Sequence, residues 1–201
     1  MKGIIKDSLI LFAITIVAGF LLGWVYDITK EPIAYQKELA KQNACKAVFE
    51  NAQSFEPMDM TALEDKMNFE GGSVDEVMTA KDASGKVLGY VLTVTSSEGY
   101  GGNITFMLGI QNNGTVNGIS FTSISETAGL GMKAKNPEFM NQFSNKAVES
   151  FVYTKTGATK DNEIDAISAA TVTTNAVTNG VNGGLAFFYE YLKVTGGVVN
   201  E

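Results

Sequence analysis

Residues 8–26, SLILFAITIVAGFLLGWVY, run for 19 positions without a charge, and no other stretch of the chain restricts its fold as strongly. As a helix this run is about 28 Å long, close to the thickness of a bilayer's hydrocarbon core. It reads as a transmembrane helix, with Trp24 and Tyr26 at its far end, where amphipathic rings favour the headgroup level. A cleavable signal peptide is the competing reading, because Lys2 and Lys6 precede the run. The length of the run, and the lack of an A-x-A pattern at its end, favour an uncleaved anchor. The buried helix of a soluble protein is the third option. Lysines flank the run on both sides, at 2 and 6 and again at 30, 37, 41 and 46, so the positive-inside rule selects no orientation.

The remainder of the chain reads as one folded body. Residues 29–51 predict an amphipathic helix: Thr29 can cap it, Pro32 falls in its first turn, and Ile33, Leu39, Ala40, Ala44, Val48 and Phe49 recur near helical spacing. Residues 54–72 read as an irregular, polar connection, with Pro57, Gly71 and Gly72 as breakers. From Val74 the hydrophobic period changes to two, and residues 87–95, 104–111 and 116–121 read as strands, the last two joined by a hairpin turn at Asn112, Asn113 and Gly114. A small helix opens at Asn136, Pro137 and Glu138, and residues 150–153 read as another strand. The last helix begins near Ser168 or Thr173 and aligns Val177, Val181, Leu185, Phe188 and Leu192 on one face. Three glycines at 180, 183 and 184 weaken its intrinsic propensity, so packing must hold it. The expected fold class is α+β, a short antiparallel sheet with packed helices behind one N-terminal transmembrane helix. The expected organisation is a short segment 1–7, an anchor 8–26, an amphipathic helix and connection 27–72, and a domain 73–201.

The start of that last helix, residues 165–174 (DAISAATVTT), gathers small residues and hydroxyls. The first N–H groups of a helix have no intrahelical partner, and its dipole is positive there. An anion among Ser168, Thr171, Thr173 and Thr174 would find donors ready, with Ala166, Ala169 and Ala170 leaving room. The plainer alternative is that Ser168 or Thr171 caps the helix. All 15 basic residues are lysine, so the bidentate arginine clamp on phosphate is absent. The chain also has no histidine, which excludes intrachain Ser-His-Asp and Cys-His catalysis and histidine-ligated metals. One cysteine, Cys45, offers neither a disulfide nor a cluster site, and a net charge of -7 argues against nucleic acid. If the protein does chemistry, a cofactor is expected to carry it, and no catalytic residue or metal ligand is assigned to the chain itself.

Two glycine clusters add to this. Gly99, Tyr100, Gly101 and Gly102 lie between strands, and Glu126, Thr127, Ala128, Gly129, Leu130, Gly131, Met132 and Lys133 follow them. Such loops can lie flat on a planar ligand or cradle an anion, or serve as ordinary turns. Lys133 is a candidate partner for a phosphate or an electron-rich ring edge. Glu126 could accept from a ring N–H or finish a turn.

Taken together, DAISAAT resembles the D-x-x-[ST]-G-A-T signature of the FMN-binding domain family, SETAGLG its S-E-T-P-G-L-G loop, and GYGG its G-Y-G-G loop, in the family's order. Within that family the chain is most similar to the G subunits of Rnf-type ion-translocating ferredoxin:NAD oxidoreductase complexes, and next to the C subunits of sodium-translocating NADH:quinone reductases. The resemblance implies covalent FMN, esterified through its phosphate to Thr171 by a flavin transferase. Asp165, Ser168, Ala169, Ala170, Thr173, Thr174, Tyr100, Gly101, Glu126, Thr127, Gly129, Leu130, Gly131, Met132 and Lys133 would surround it. It implies an electron relay among other membrane subunits, coupled to outward Na⁺ or H⁺ transport, with residues 1–7 cytoplasmic and the domain on the outer face. An anchored flavin-binding or sensory module that passes no current is the reading from a different class. Two positions depart from the family: Ala169 replaces a usual glycine, which requires a negative φ or room for the methyl group, and Ala128 replaces a usual proline.

Overall fold

A computed structural model of the chain describes residues 2–193. Two units divide between Ala40 and Lys41. The ends of the expected segments 1–7 and 73–201, at Met1 and residues 194–201, lie outside the described residues.

The first unit is helix. α1 spans Lys2–Val48 without interruption, where the sequence predicts a span and then a separate helix capped at Thr29. Thr29 does not cap: its Oγ1 donates back to the carbonyls of Val25 at 2.8 Å and Tyr26 at 3.2 Å, inside the helix. Pro32 is therefore internal and leaves the Ile28 carbonyl without its usual donor. No breaker separates the two predicted segments, so local capping signals yield to helical continuity. Apolar side chains along the charge-free run, Phe12, Phe20 and Leu22 among them, are exposed, which removes the reading of a buried soluble helix. The run is long and apolar enough to cross a membrane.

The second unit is built on an antiparallel sheet. β1 (Ser54–Pro57) and β2 (Asn68–Phe69) pair with β3 (Gly72–Lys81), and β4 (Val87–Ser96), β5 (Ile104–Gln111) and β6 (Val116–Ser123) follow in sequence order. The region predicted as an irregular connection thus contributes two edge pieces and a 3-10 turn, Thr61–Lys66. Pro57 is tolerated because β1 lies at the sheet edge, paired on one side only.

The period-two pattern sends alternate residues to opposite faces, and both are covered. On one face Leu92, Val94, Phe106, Leu108 and Ile110 meet α3 (Thr171–Phe187), whose Val177, Val181 and Leu185 are fully buried, as are Phe188 and Leu192 in the π-helical turn beyond it. The five-residue stripe read from the sequence is the buried stripe. Its glycines also find their reason: a Cβ at Gly184 would lie 2.6 Å from the Leu108 side chain, so the missing side chain lets the helix settle on the sheet. On the other face Val91 and Met107 meet Ala44, Cys45 and Val48 from the last turns of α1, followed by Phe49.

Between β6 and α3 the chain makes a 3-10 turn at Gly131–Lys135, the short α2 (Pro137–Met140), a further 3-10 turn at Asn141–Phe143, and the parallel pair β7 (Val152–Thr154) and β8 (Glu163–Asp165). This segment closes the end of the sheet and leads directly into the start of α3. The α+β class stands.

Candidate functional site

α3 begins without a side-chain cap. Its cap residue is Ala170, which has no acceptor to offer, so neither Ser168 nor Thr171 performs the capping role that the plainer sequence reading assigned. The first bond into the helix runs from Thr174 N–H to the Ala170 carbonyl at 3.0 Å. The N–H groups of Thr171, Val172 and Thr173 have no acceptor among the described residues. Thr171 sits at the first helical position, half-buried, and its hydroxyl has no hydrogen-bond partner among the described residues.

The other hydroxyls of the segment divide sharply. Thr174 is fully buried; its Oγ1 accepts from Ile167 N–H and donates to the Ala170 carbonyl, each at 3.0 Å. It ties the strand-to-helix turn together and has no lone capacity to face a ligand. Thr173, also buried, donates to Glu126 Oε2 at 2.9 Å. Ser168 and Ala169 are exposed. Ala169 has φ +61°, so the first condition for replacing glycine fails, while its exposure gives the methyl group room.

Both glycine loops reach this helix start. Gly101 N–H donates to Glu126 Oε1 at 3.0 Å, opposite the Thr173 bond, and Glu126 is only 8% exposed. Thr127 accepts from the N–H groups of Leu130 and Met132, at 3.1 and 3.2 Å, with Gly129 at φ +76° inside the turn. That turn delivers Gly131 against the Glu126–Thr173 hydrogen bond, where a Cβ would lie 2.5 Å from both Glu126 Oε2 and Thr173 Oγ1. The side chains next in line face outward: Tyr100 is 75% exposed, Leu130 40% and Val172 51%.

A helix start with three N–H groups and one hydroxyl that are unpaired among the described residues therefore adjoins a discontinuous apolar rim. The N–H groups suit a phosphate, and the rim suits one face of a planar ring system. The set fits a flavin mononucleotide without a cationic clamp.

Asp165 and Lys133 belong to a groove that adjoins the helix start through Ser168. They line this open groove of about 760 Å³ with Ser168, Gln142, Lys146 and Lys160. Asp165 is occupied by the fold: its N–H donates to Gln142 Oε1 at 2.6 Å, and its Oδ1 accepts from Ala158 N–H. Lys133 is exposed and forms no ion pair among the described residues, whereas Lys146 pairs with Asp161 and Lys160 with Glu163. The pKa of Glu163 is lowered from its ordinary value, chiefly because Thr159 N–H, and then the Thr159 hydroxyl, donate to its carboxylate. Thr127 and Gly129 are exposed, Met132 is half-buried, and Ala170 and Gly131 are buried. Sequence reasoning missed Val172 and Gln142. The first is an outward apolar residue within the motif itself, and the second lies on a short turn far from it with no local signal.

Residues 99–186 match the model of the FMN-binding domain family, and residues 1–48 match that of the RnfG N-terminal region. Among curated proteins, the chain is 31% identical over 198 residues to the G subunit of the Na⁺-translocating ferredoxin:NAD⁺ oxidoreductase complex of Acetobacterium woodii, covering 96% of this chain and 95% of that one. It is 33% identical over 183 residues to the G subunit of the proton-translocating ferredoxin:NAD⁺ oxidoreductase complex of Clostridium ljungdahlii, covering 88% and 90%. Among solved structures, NqrC of Shewanella oneidensis shares the fold, with a TM-score of 0.52 at 19% identity over 71% of this chain and 85% of that one.

Proposed function

The chain belongs to the family of G subunits of ion-translocating ferredoxin:NAD⁺ oxidoreductase complexes, and on that premise we propose how its own residues serve such a complex. It is an FMN-binding, electron-transferring subunit of a multi-subunit redox enzyme complex. Bound FMN supplies the redox chemistry, taking up and giving back electrons at its ring. The chain's residues supply position.

FMN is attached through its phosphate to Thr171 Oγ1. The observation that carries this is the Thr171 hydroxyl at the first position of α3, which has no hydrogen-bond partner among the described residues and stands beside N–H groups that also lack acceptors among them. A phosphodiester keeps one negative charge, which the helix dipole and the N–H groups of Val172 and Thr173 stabilise. Tyr100, Leu130 and Val172 offer the ring an apolar seat that excludes water from one of its faces. Lys133 and Ser168 stand at the neighbouring groove, where they meet the polar part of the cofactor. A covalent link holds the flavin at high effective concentration near other redox centres.

The charge-free run of α1 anchors the protein as a single span, with the flavin domain on the extracytoplasmic side. Its partners are the other membrane subunits of the complex and, during maturation, a flavin transferase. Co-expression with a flavin transferase tests the attachment. The wild-type chain should fluoresce on a denaturing gel and gain the mass of one FMN less water, and Thr171→Val should lose both. Fluorescence and added mass that persist in Thr171→Val would place the bond elsewhere.

A further inference from the structure

The apolar rim is assembled from three separate segments, and a single buried carboxylate meets the residue that follows each of its members. Gly101 follows Tyr100 and donates to Glu126 Oε1. Thr173 follows Val172 and donates to Glu126 Oε2. Gly131 follows Leu130 and packs so closely on the same carboxylate that no side chain fits there. We propose that Glu126 is a positioning residue, a clasp that holds the Tyr100 loop and the Leu130 turn against the first turn of α3 so that their side chains share one rim beside Thr171. The inference rests on the reading of this site as the flavin's seat. It also gives Glu126 a role distinct from the two that the sequence left open, accepting from a ring N–H or finishing a turn. Both of its oxygens are engaged by protein donors and the residue is almost fully buried, so it acts on the cofactor only through its neighbours.

The chemistry favours a carboxylate at this point. An ionised acid accepts on both oxygens at once and forms charge-assisted bonds stronger than those of a neutral acceptor. It stands at the positive end of α3, where negative charge is stabilised. No lysine forms an ion pair with it among the described residues, so its partners are the N–H and the hydroxyl. Thr173 adds direction: an inward residue at the third helical position fixes the azimuth of Val172 beside it. Gly101 does the same for Tyr100 through a shared peptide plane.

The test uses the full chain co-expressed with a flavin transferase, comparing Glu126→Ala, Thr173→Val and Thr173→Ser. Spectra are normalised to the flavin found by intact mass. The clasp predicts that Thr173→Val and Glu126→Ala lose the visible circular dichroism that an oriented ring gives and shift the flavin's midpoint potential. Thr173→Ser, which keeps the hydroxyl, should restore both. Unchanged dichroism and potential in Thr173→Val would overturn the proposal, and this near-isosteric pair decides it even if Glu126→Ala does not fold. A second readout needs no flavin: amide exchange at Gly101 should be about tenfold faster in Glu126→Ala, or in Glu126→Leu if the smaller residue unfolds the chain, as expected for one lost hydrogen bond. Equal exchange overturns the clasp. A wild-type chain without flavin mass would instead overturn the reading of the site, and the exchange rates would still decide the clasp.

Discussion

Asn182 satisfies both backbone groups of Phe151 with one carboxamide: its Oδ1 accepts from the Phe151 N–H at 2.7 Å, and its Nδ2 donates to the Phe151 carbonyl at 2.8 Å. The side chain thus behaves as a one-residue strand, docking the segment before β7 onto α3. Phe151 is buried and its ring meets that of Phe143 at 5.1 Å, next to the Gln142 that holds Asp165. Asn182→Leu should lower stability by about 2–4 kcal/mol, since two backbone groups lose their partners. Urea unfolding checks it, and a loss below about 0.5 kcal/mol would show that water replaces the carboxamide.

Ala169 holds a left-handed conformation that costs a residue with a Cβ about 1–2 kcal/mol. Glycine relieves that strain but gives back part of the gain as unfolded-state entropy. Ala169→Gly should therefore stabilise the protein by roughly 0.5–1 kcal/mol. Thermal unfolding should show a rise of a few degrees, and a fall would mean that φ at this position is negative.

Thr171 and Thr174 lie one helical turn apart yet should respond oppositely to the same change. Thr174→Val strips the buried Ile167 N–H of its acceptor and should cost about 1–3 kcal/mol. Thr171→Val removes a hydroxyl with no hydrogen-bond partner among the described residues and should stay within about 0.5 kcal/mol of wild type. Equal losses in denaturant unfolding of the flavin-free chain would contradict this division of roles.

Glu163 is ionised more readily in the folded chain than in the unfolded one, with Thr159 and Lys160 N–H groups bonding its carboxylate. Its contribution to stability is complete above the ordinary carboxylate value and is lost as pH falls through the depressed one. Glu163→Gln should be less stable than wild type at neutral pH, with the gap closing on acidification. Melting temperatures across the acid range would show two converging curves. A constant gap would assign the effect to packing.

The body of the fold was legible wherever burial and period agreed. The stripe from Val177 to Leu192 and the strands around Val91 and Leu108 carry patterns that only one seating satisfies. Thr29 and Pro32 misled because capping signals are local, whereas the helix runs through them, from an apolar stretch before into a charged, polar stretch after. β1 escaped notice because Pro57 reads as a breaker, and only an edge position makes it harmless. At the candidate site, the motif located Thr171 and the two loops. Which hydroxyls face inward depended on tertiary partners, Glu126 for Thr173 and Ile167 for Thr174, that spacing does not encode.

The idle hydroxyl of Thr171 also bears on the order of events in the protein's making. Among the described residues nothing is held by that oxygen, so the proposed esterification would break no hydrogen bond of the fold they form. On the proposed attachment at Thr171, the chain would complete its tertiary structure first and acquire its prosthetic group afterwards, as a finished substrate. Maturation is then a decoration of the native state, and a flavin-free pool in the membrane would be a folded reserve awaiting modification.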